Sequence, residues 1–422
     1  MRKPEQIERL YLDFDGFFAS VEQAINPKLR GKPVGVVPFA GAGDRGILIA
    51  CSREAKQAGI KNIMGVGEAR AVCPDLILVP QNPDHYRRAH NALLAEISLV
   101  IPIDAVKSID ELTCRVQGDD RLNPHPLALR IKARLRDHIG PWITCSVGFA
   151  SNRHLAKMAC KAGKWRGEQY GNGLMVWPPA EMPAHLLPIK LEDIPGVGRR
   201  MAARLDRAKI CSMADLLATS PKQMRALWRS VTGERLWYAL HGYDIQTPPS
   251  GRGMYGHGRV LPPGFRTVAK AREASRLLIV KAARRMRREG CNASKLWLSV
   301  DTYDGGAFVE APLRSVSDDI SILHALDGAW RDAEPRLGKR ATVARVSVTL
   351  LDLTPAANRQ TDLLEIGDEE IKDREAVTSA IDALNAKYGR TLISVGPWTP
   401  PPGGYAGGKI SYTRIPAAED FW

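Results

Sequence analysis

Tyr11 to Glu22, YLDFDGFFASVE, is the stretch that most limits how this chain can fold. Leu12, Phe14 and Phe17 are apolar and Asp13 and Asp15 interrupt them, which predicts a strand turning straight into a helix with two carboxylates on a core-like segment. Unpaired charge there is costly, so something must compensate it. A second acidic pair, Asp110 and Glu111 in KSIDELTCRV, lies in another short strand-like segment among Ile109, Leu112 and Val116. Carboxylates gathered from two strands repel one another unless protons or a cation intervene. A set made only of oxygens, without His or Cys, suits a hard ion such as Mg²⁺. In outline this is a two-metal phosphoryl-transfer site. A lone DxD serves a turn or cap as readily, so the reading depends on what surrounds it.

The 422 residues exceed one ordinary core and predict roughly two to four domains. Sixty Lys and Arg against 46 Asp and Glu leave a charge of +14, which calls for a polyanionic partner, nucleic acid or an anionic membrane. The N-terminus MRKPEQIERL has no apolar core for a signal peptide, and no run approaches the ~20 apolar residues of a spanning helix. The expectation is a soluble, cytoplasmic protein with no membrane partner. Seven scattered cysteines without a CxxC pair argue against a disulfide frame or a zinc site, and are expected to be buried.

In chain order, NPKLRGKPVGVVPFAGAGDRGILIA predicts a turn, a strand, a Gly-rich hairpin and a second strand bearing the β-branched Ile47 and Ile49. PLALRIKARLRDHIG has Leu127, Leu129, Ile131 and Leu135 at helical spacing between basic residues, an amphipathic helix backing a sheet. ITCSVGFA predicts a strand and ASNRHLAKMACKAGKWRG a helix, with Arg153, Lys157 and Lys161 solvated or facing DNA. In LEDIPGVGRRMAARL, Gly196 and Gly198 permit a tight turn whose N–H groups point at a phosphate, with Arg199 and Arg200 following, a helix-hairpin-helix for sequence-independent duplex contact. After the Gly/Pro-rich TPPSGRGMYGHG, the helix TVAKAREASRLLIVKAARRMRREG turns Leu278, Ile279, Ala282 and Met286 inward. Arg276, Lys281, Arg284, Arg285 and Arg288 surround the rest, a basic face that is either solvated or turned to the polyanionic partner. KLWLSVDTYD and ATVARVSVTLLDL alternate as strands. The tail is acidic, with a short helix over REAVTSAIDALNAKYG and an extended terminus.

DFDGFFASVEQ, NPKLRGKPVGV, SREAK, SIDE and TCSVGFASNRHLAKMACKAGKWRG occur in the order and spacing of the Y-family translesion DNA polymerases, which the chain resembles from residue 8 to residue 355. The resemblance implies a multidomain α/β and α+β right-hand polymerase. Its ferredoxin-like palm would take 1–18 and 79–172, the small fingers 19–78 and the helical helix-hairpin-helix thumb 173–242. A linker (243–254), an α+β little finger (255–355) and a C-terminal tail (356–422) would follow.

The resemblance also implies transfer of a nucleotide from dNTP to a primer 3′-hydroxyl on primer-template DNA with two Mg²⁺ ions. Asp13 and Asp110 would bridge both ions, the Phe14 carbonyl would complete the nucleotide-side ion, and Glu111 would hold the primer-side ion. Phe18 falls at the family's steric gate against a 2′-hydroxyl, with Phe17 beside it either in the nucleotide site or in the core. Lys164 would hold the terminal phosphates. The chain departs from the pattern at Arg53 and Lys56, where the family has Tyr and Arg gripping the triphosphate, and at Trp165, where it has Pro. Charge is kept, but Lys lacks the guanidinium fork. RQTDLLEIGDEE resembles the bacterial sliding-clamp peptide, with Gln360, Leu363 and Leu364 entering an apolar pocket. This end resembles the polymerase V catalytic subunit, with the polymerase IV type as the alternative, and accessory mutagenesis proteins would be further partners. Two other classes compete. A polymerase-like scaffold without catalysis typically lacks one of the acids, and all three are present; a nucleotidyl cyclase would not need the helix-hairpin-helix or the basic C-terminal domain.

Overall fold

A central strand carries the first acidic stretch. The computed structural model describes residues 1–41, 43, 46–165, 173–246, 251–338, 341–359, 368–397 and 415–421. The chain divides into two compact units, Met1–Pro248 with Ile410–Ile415, and Pro249–Lys409 with Pro416–Trp422.

In the first unit β1 (Arg9–Phe14) runs into α1 (Phe17–Ile25). A small lobe follows: β2 (Val34–Val37), β3 (Ala50–Cys51), α2 (Arg53–Gln57), α3 (Val66–Val72) and β4 (Ile77–Pro80), with strand order β3-β2-β4. The chain then builds α4 (Pro83–Ser98), β5 (Ile103–Val106), β6 (Glu111–Arg115), α5 (His125–His138), β7 (Cys145–Ala150), α6 (Arg153–Trp165) and β8 (Leu174–Val176). The order β5-β6-β1-β7-β8 puts β1 in the middle of a five-stranded sheet. Side chains alternate along it. Leu10, Leu12 and Phe14 pack with Leu93 and Ile97 of α4 and Leu127 and Ile131 of α5, whereas Tyr11 packs with Leu155, Ala156 and Met158 of α6. α6 lies directly on β7 because Gly148 has no side chain: a Cβ there would stand 2.1 Å from the Cys160 nitrogen. On α5, Leu129 departs from the expected apolar face and is half exposed. Helices α7 (Arg199–Arg207), α8 (Met213–Leu217), α9 (Pro221–Trp228) and α10 (Val231–Leu240) share the core of α6. Capping boxes at Ser212 and Ser220 start two of them.

The second unit contains β9 (Tyr255–Val260), α11 (Val268–Arg288), β10 (Cys291–Thr302), β11 (Gly305–Val316), α12 (Asp319–Ala333), β12 (Val343–Pro355) and α13 (Asp368–Tyr388). Its antiparallel sheet, ordered β11-β10-β12-β9, shares one core with α11 and α12, built around Leu278, Met286, Leu298, Trp330 and Val348. Two expectations are corrected here. The tail helix extends beyond REAVTSAIDALNAKYG to begin at Asp368, and every residue of α11 from Leu277 to Met286 is buried. Lys281 donates to the Asp420 carbonyl (2.8 Å), Arg284 to Asp382 (3.1 Å), Arg285 to the Gly256 carbonyl (2.8 Å) and Arg276 to the Val395 carbonyl (3.3 Å). These four side chains, expected on a DNA-facing or solvated surface, are turned into the domain by partners that the tail and β9 deliver.

Among the described residues no helix is long and apolar enough to cross a membrane. All seven cysteines are free, and five are buried, but Cys211 is exposed and Cys291 half-buried.

Candidate active site

Strands β1 and β6 pair antiparallel with Asp13 opposite Glu111, and the Phe14 N–H donates to the Asp110 carbonyl at 2.8 Å. Because the pleat alternates, Asp13 leaves β1 on the side of Tyr11, the side that α6 covers. Asn152 caps α6 by accepting from the Leu155 N–H at 2.9 Å. Lys157 and Lys164 lie two turns apart on that helix and so share one side of it. Lys157 Nζ stands 2.8 and 3.0 Å from the Glu111 carboxylate oxygens and 5.1 Å from the Tyr11 ring centroid. Lys164 pairs with Asp13 and lies 3.8 Å from Asp15. Lys161 pairs with Asp193 at 2.8 Å, ahead of the turn at Gly196. Lys157 and Lys161, expected solvated or facing DNA, keep 37% and 42% of their side chains exposed while each also pairs with an acid, Glu111 at the start of β6 and Asp193 before the turn.

Ser108 Oγ donates to Asp110 at 2.5 Å, and Asp15 accepts from Thr144 (2.9 Å) and Ser146 (2.8 Å). Burial pushes the Asp13 carboxyl up to about 6; Lys164 opposes the shift, and the charges of Asp110 and Glu111 add to it. Although burial works against it, Lys164 is held above its ordinary range by Asp13 and Asp15. Two ammonium groups supply the compensating charge in this cluster, Lys164 at Asp13 and Lys157 at Glu111. Among the described residues no three acid, His or Cys side chains converge closely enough to hold an ion as they stand, since Lys164 and Lys157 each occupy one acid. The donor chemistry, carboxylates with a backbone carbonyl, fits Mg²⁺.

His154, also on α6, has its Nε2 buried without a partner among the described residues, and burial with Arg153 and Lys157 pushes the ring down to about 4. The ring is therefore neutral in the fold, while the unfolded chain takes up its proton below about pH 6.5, so stability falls as the pH drops from there towards 4. His154→Gln should flatten this limb of a stability-against-pH curve by about 1–3 kcal/mol at pH 4. Parallel wild-type and variant curves would show the ring to be solvated.

Phe18 stacks on Tyr86, with centroids 4.3 Å apart, and Tyr86 is fixed by donating to Glu22 at 2.8 Å. Phe17 is 3% exposed and belongs to the core, so its ring is not a nucleotide contact; of the two expected positions it takes the buried one. Ser52 caps α2 by accepting from the Ala55 N–H, placing Arg53 and Lys56 a turn apart on the wall of a cavity that Lys164 also lines. Gly196 takes a φ of 93°, and Gly198, Arg199 and Arg200 are exposed at the start of α7.

One surface escaped the sequence reading. On the second unit's sheet, Ser347 of β12 lies opposite Gly258 of β9 and Thr349 opposite Gly256, with the exposed Arg345 next in line. A Cβ at Gly258 would meet the Ser347 hydroxyl at 2.3 Å, so the glycines keep this hydroxyl-rich surface flat. The Ser/Thr alternation in ATVARVSVTLLDL was the available signal. Gln360, Leu363 and Leu364 lie outside the described residues.

The impB/mucB/samB family matches residues 12–161, and the C-terminal domain of that family matches residues 252–363. DNA polymerase IV of Moorella thermoacetica is 31% identical over 398 residues, spanning 91% of this chain and 94% of its own length. DNA polymerase IV of Oceanobacillus iheyensis is 28% identical over 402 residues, spanning 91% of this chain and 90% of its own. Among solved structures a Y-family DNA polymerase chimera, Dbh-Dpo4-Dbh, shares the fold with a TM-score of 0.67 at 23% identity, covering 82% of this chain and 98% of that one. The first matched span encloses Asp13, Asp110 and Glu111, and with a relative this similar over nearly its whole length the chain belongs to the impB/mucB/samB family of Y-family DNA polymerases.

Proposed function

We propose that the chain is a template-directed DNA polymerase that carries out translesion synthesis in the cytoplasm, joining a deoxynucleotide to a primer 3′-hydroxyl. The observation that carries this is the single side of β1, β6 and α6 on which Asp13, Glu111 and Lys164 meet, with Asp110 beside them. Two Mg²⁺ ions held by Asp13, Asp110, Glu111 and the Phe14 carbonyl would supply charge neutralisation at the reacting phosphate and an activated primer oxygen. Lys164 would leave Asp13 to hold the terminal phosphates, helped by Arg53 and Lys56. Phosphates of the duplex would meet the amides and arginines at Gly196–Arg200 and the flat Gly256/Gly258 surface beside Arg345. Gln360, Leu363 and Leu364 would dock on a sliding clamp. Primer extension on undamaged and damaged templates with Mg²⁺ tests the reading, and no extension on either would overturn it.

Two side chains refine it. Phe18→Ala should admit ribonucleotides, since only the ring opposes a 2′-hydroxyl; unchanged discrimination would place the gate elsewhere. Arg53→Ala should raise the Michaelis constant for the nucleotide about ten- to a hundredfold, the loss of one charge-assisted contact. A wild-type constant would remove Arg53 from the site and leave the triphosphate to Lys56 and Lys164.

A further inference from the structure

The cavity that Arg53, Lys56 and Lys164 line is larger than their grip on a triphosphate requires. Its volume is about 930 Å³, and its lining includes Lys132 and Arg136 of α5 and Trp142 beyond that helix. Among its described lining residues Asp15 and Glu54 are the only acids. Lys132 donates to the Cys145 carbonyl on β7, and Arg136 stands on the rim with its side chain 65% exposed, paired to Asp137 at 2.9 Å. Neither cation has a part in the site described so far.

The transfer reaction itself supplies an anion for them. The bond from the primer oxygen to the α-phosphorus forms as the bond from that phosphorus to the bridging oxygen breaks. The primer hydroxyl proton passes to water, and the electron pair leaves on pyrophosphate. That product carries several negative charges, and once it leaves Lys164 it needs further cations on its way to solvent. On the α5 side of Lys164 the wall is predominantly positive. We propose that Lys132 and Arg136 form an exit site for pyrophosphate, drawing it off Lys164 before it reaches solvent. The inference rests on the polymerase reading above, and assigns to this chain a second anion subsite specific for inorganic polyphosphate.

Calorimetric titration of inorganic pyrophosphate into the free full-length protein, alongside its inhibition of primer extension at fixed free Mg²⁺, tests the assignment. In Lys132→Met/Arg136→Met both the dissociation constant and the inhibition constant for pyrophosphate should rise about tenfold, while the nucleotide Michaelis constant moves less than about twofold. Because Lys132 also ties α5 to β7, Arg136→Met alone, at the rim, is the variant that keeps the fold intact, and it should carry about threefold of the effect. Unchanged pyrophosphate affinity in Arg136→Met and in a double variant that melts like wild type would overturn the exit site. A nucleotide constant rising in step with that for pyrophosphate would overturn it too, by placing both residues in the triphosphate grip. A wild-type protein that binds pyrophosphate but extends no primer would instead sink the polymerase reading.

Discussion

Nucleotide incorporation should fall at least about a thousandfold, some 4 kcal/mol of transition-state stabilisation, when Asp110 and Glu111 are replaced together by Ala. The structure gives two reasons to expect a loss of chemistry rather than of fold. Glu111 is paired with Lys157, whose side chain is 37% exposed and can turn to water once released. Asp110 holds β1 through its backbone carbonyl, which the substitution keeps, and among the described residues its carboxylate accepts from the Ser108 hydroxyl. Affinity for duplex DNA should stay near wild type, because the surfaces proposed to meet phosphate, Gly196–Arg200 and the second unit's sheet, are untouched. Single-nucleotide primer extension and a duplex-binding titration on the same preparation separate the two. Extension at more than a tenth of the wild-type rate would end the assignment of these acids to the reaction.

The acidic cluster was legible because a strand has a period of two. Asp13 on an apolar segment can only be accommodated on one side of the sheet, and a second acidic pair on an equally apolar segment announces its neighbour; the register of Asp13 with Glu111 follows. The counterions were not legible. Lys157 and Lys164 share a helix with Arg153 and Lys161, and nothing local says which of them face a sheet and which face solvent; that depends on Gly148 letting α6 settle on β7. Phe17 and Phe18 show the same limit at one residue's distance, since the turn after β1 buries the first ring and leaves the second against Tyr86. The largest departure is α11. Its basic residues read as a surface because their partners lie far away in sequence: Asp382 is 98 positions from Arg284, and Asp420 is 139 from Lys281. Periodicity reports which side of a helix is apolar, but not that the other side will be covered by a distant acidic segment.

That cover has a measurable strength, and Asp382→Ala should destabilise the second unit by about 2–4 kcal/mol. Asp382 accepts from Arg284 Nε at 3.1 Å and Arg287 Nε at 2.8 Å, and those side chains are only 8% and 9% exposed, so water cannot take its place. Removing one acid from a buried pair leaves charge without compensation, which costs more than the pair contributed. The loss stops short of the roughly 5 kcal/mol that a fully uncompensated buried charge can cost because Arg287 retains Asp319 at 2.8 Å and the Ser317 carbonyl at 2.7 Å. Glu370→Ala, which breaks an exposed pair with Arg374 on the same helix, is the matched control and should cost no more than about 0.5 kcal/mol. Denaturant unfolding of the full-length protein reads both, with Asp382→Asn falling between them because the amide oxygen still accepts one arginine. Equal, small losses in Asp382→Ala and Glu370→Ala would mean that α13 rides on the domain without belonging to its fold. Arg284 would then be available to DNA after all. A large loss confined to Asp382 makes the acidic tail the counter-charge of α11.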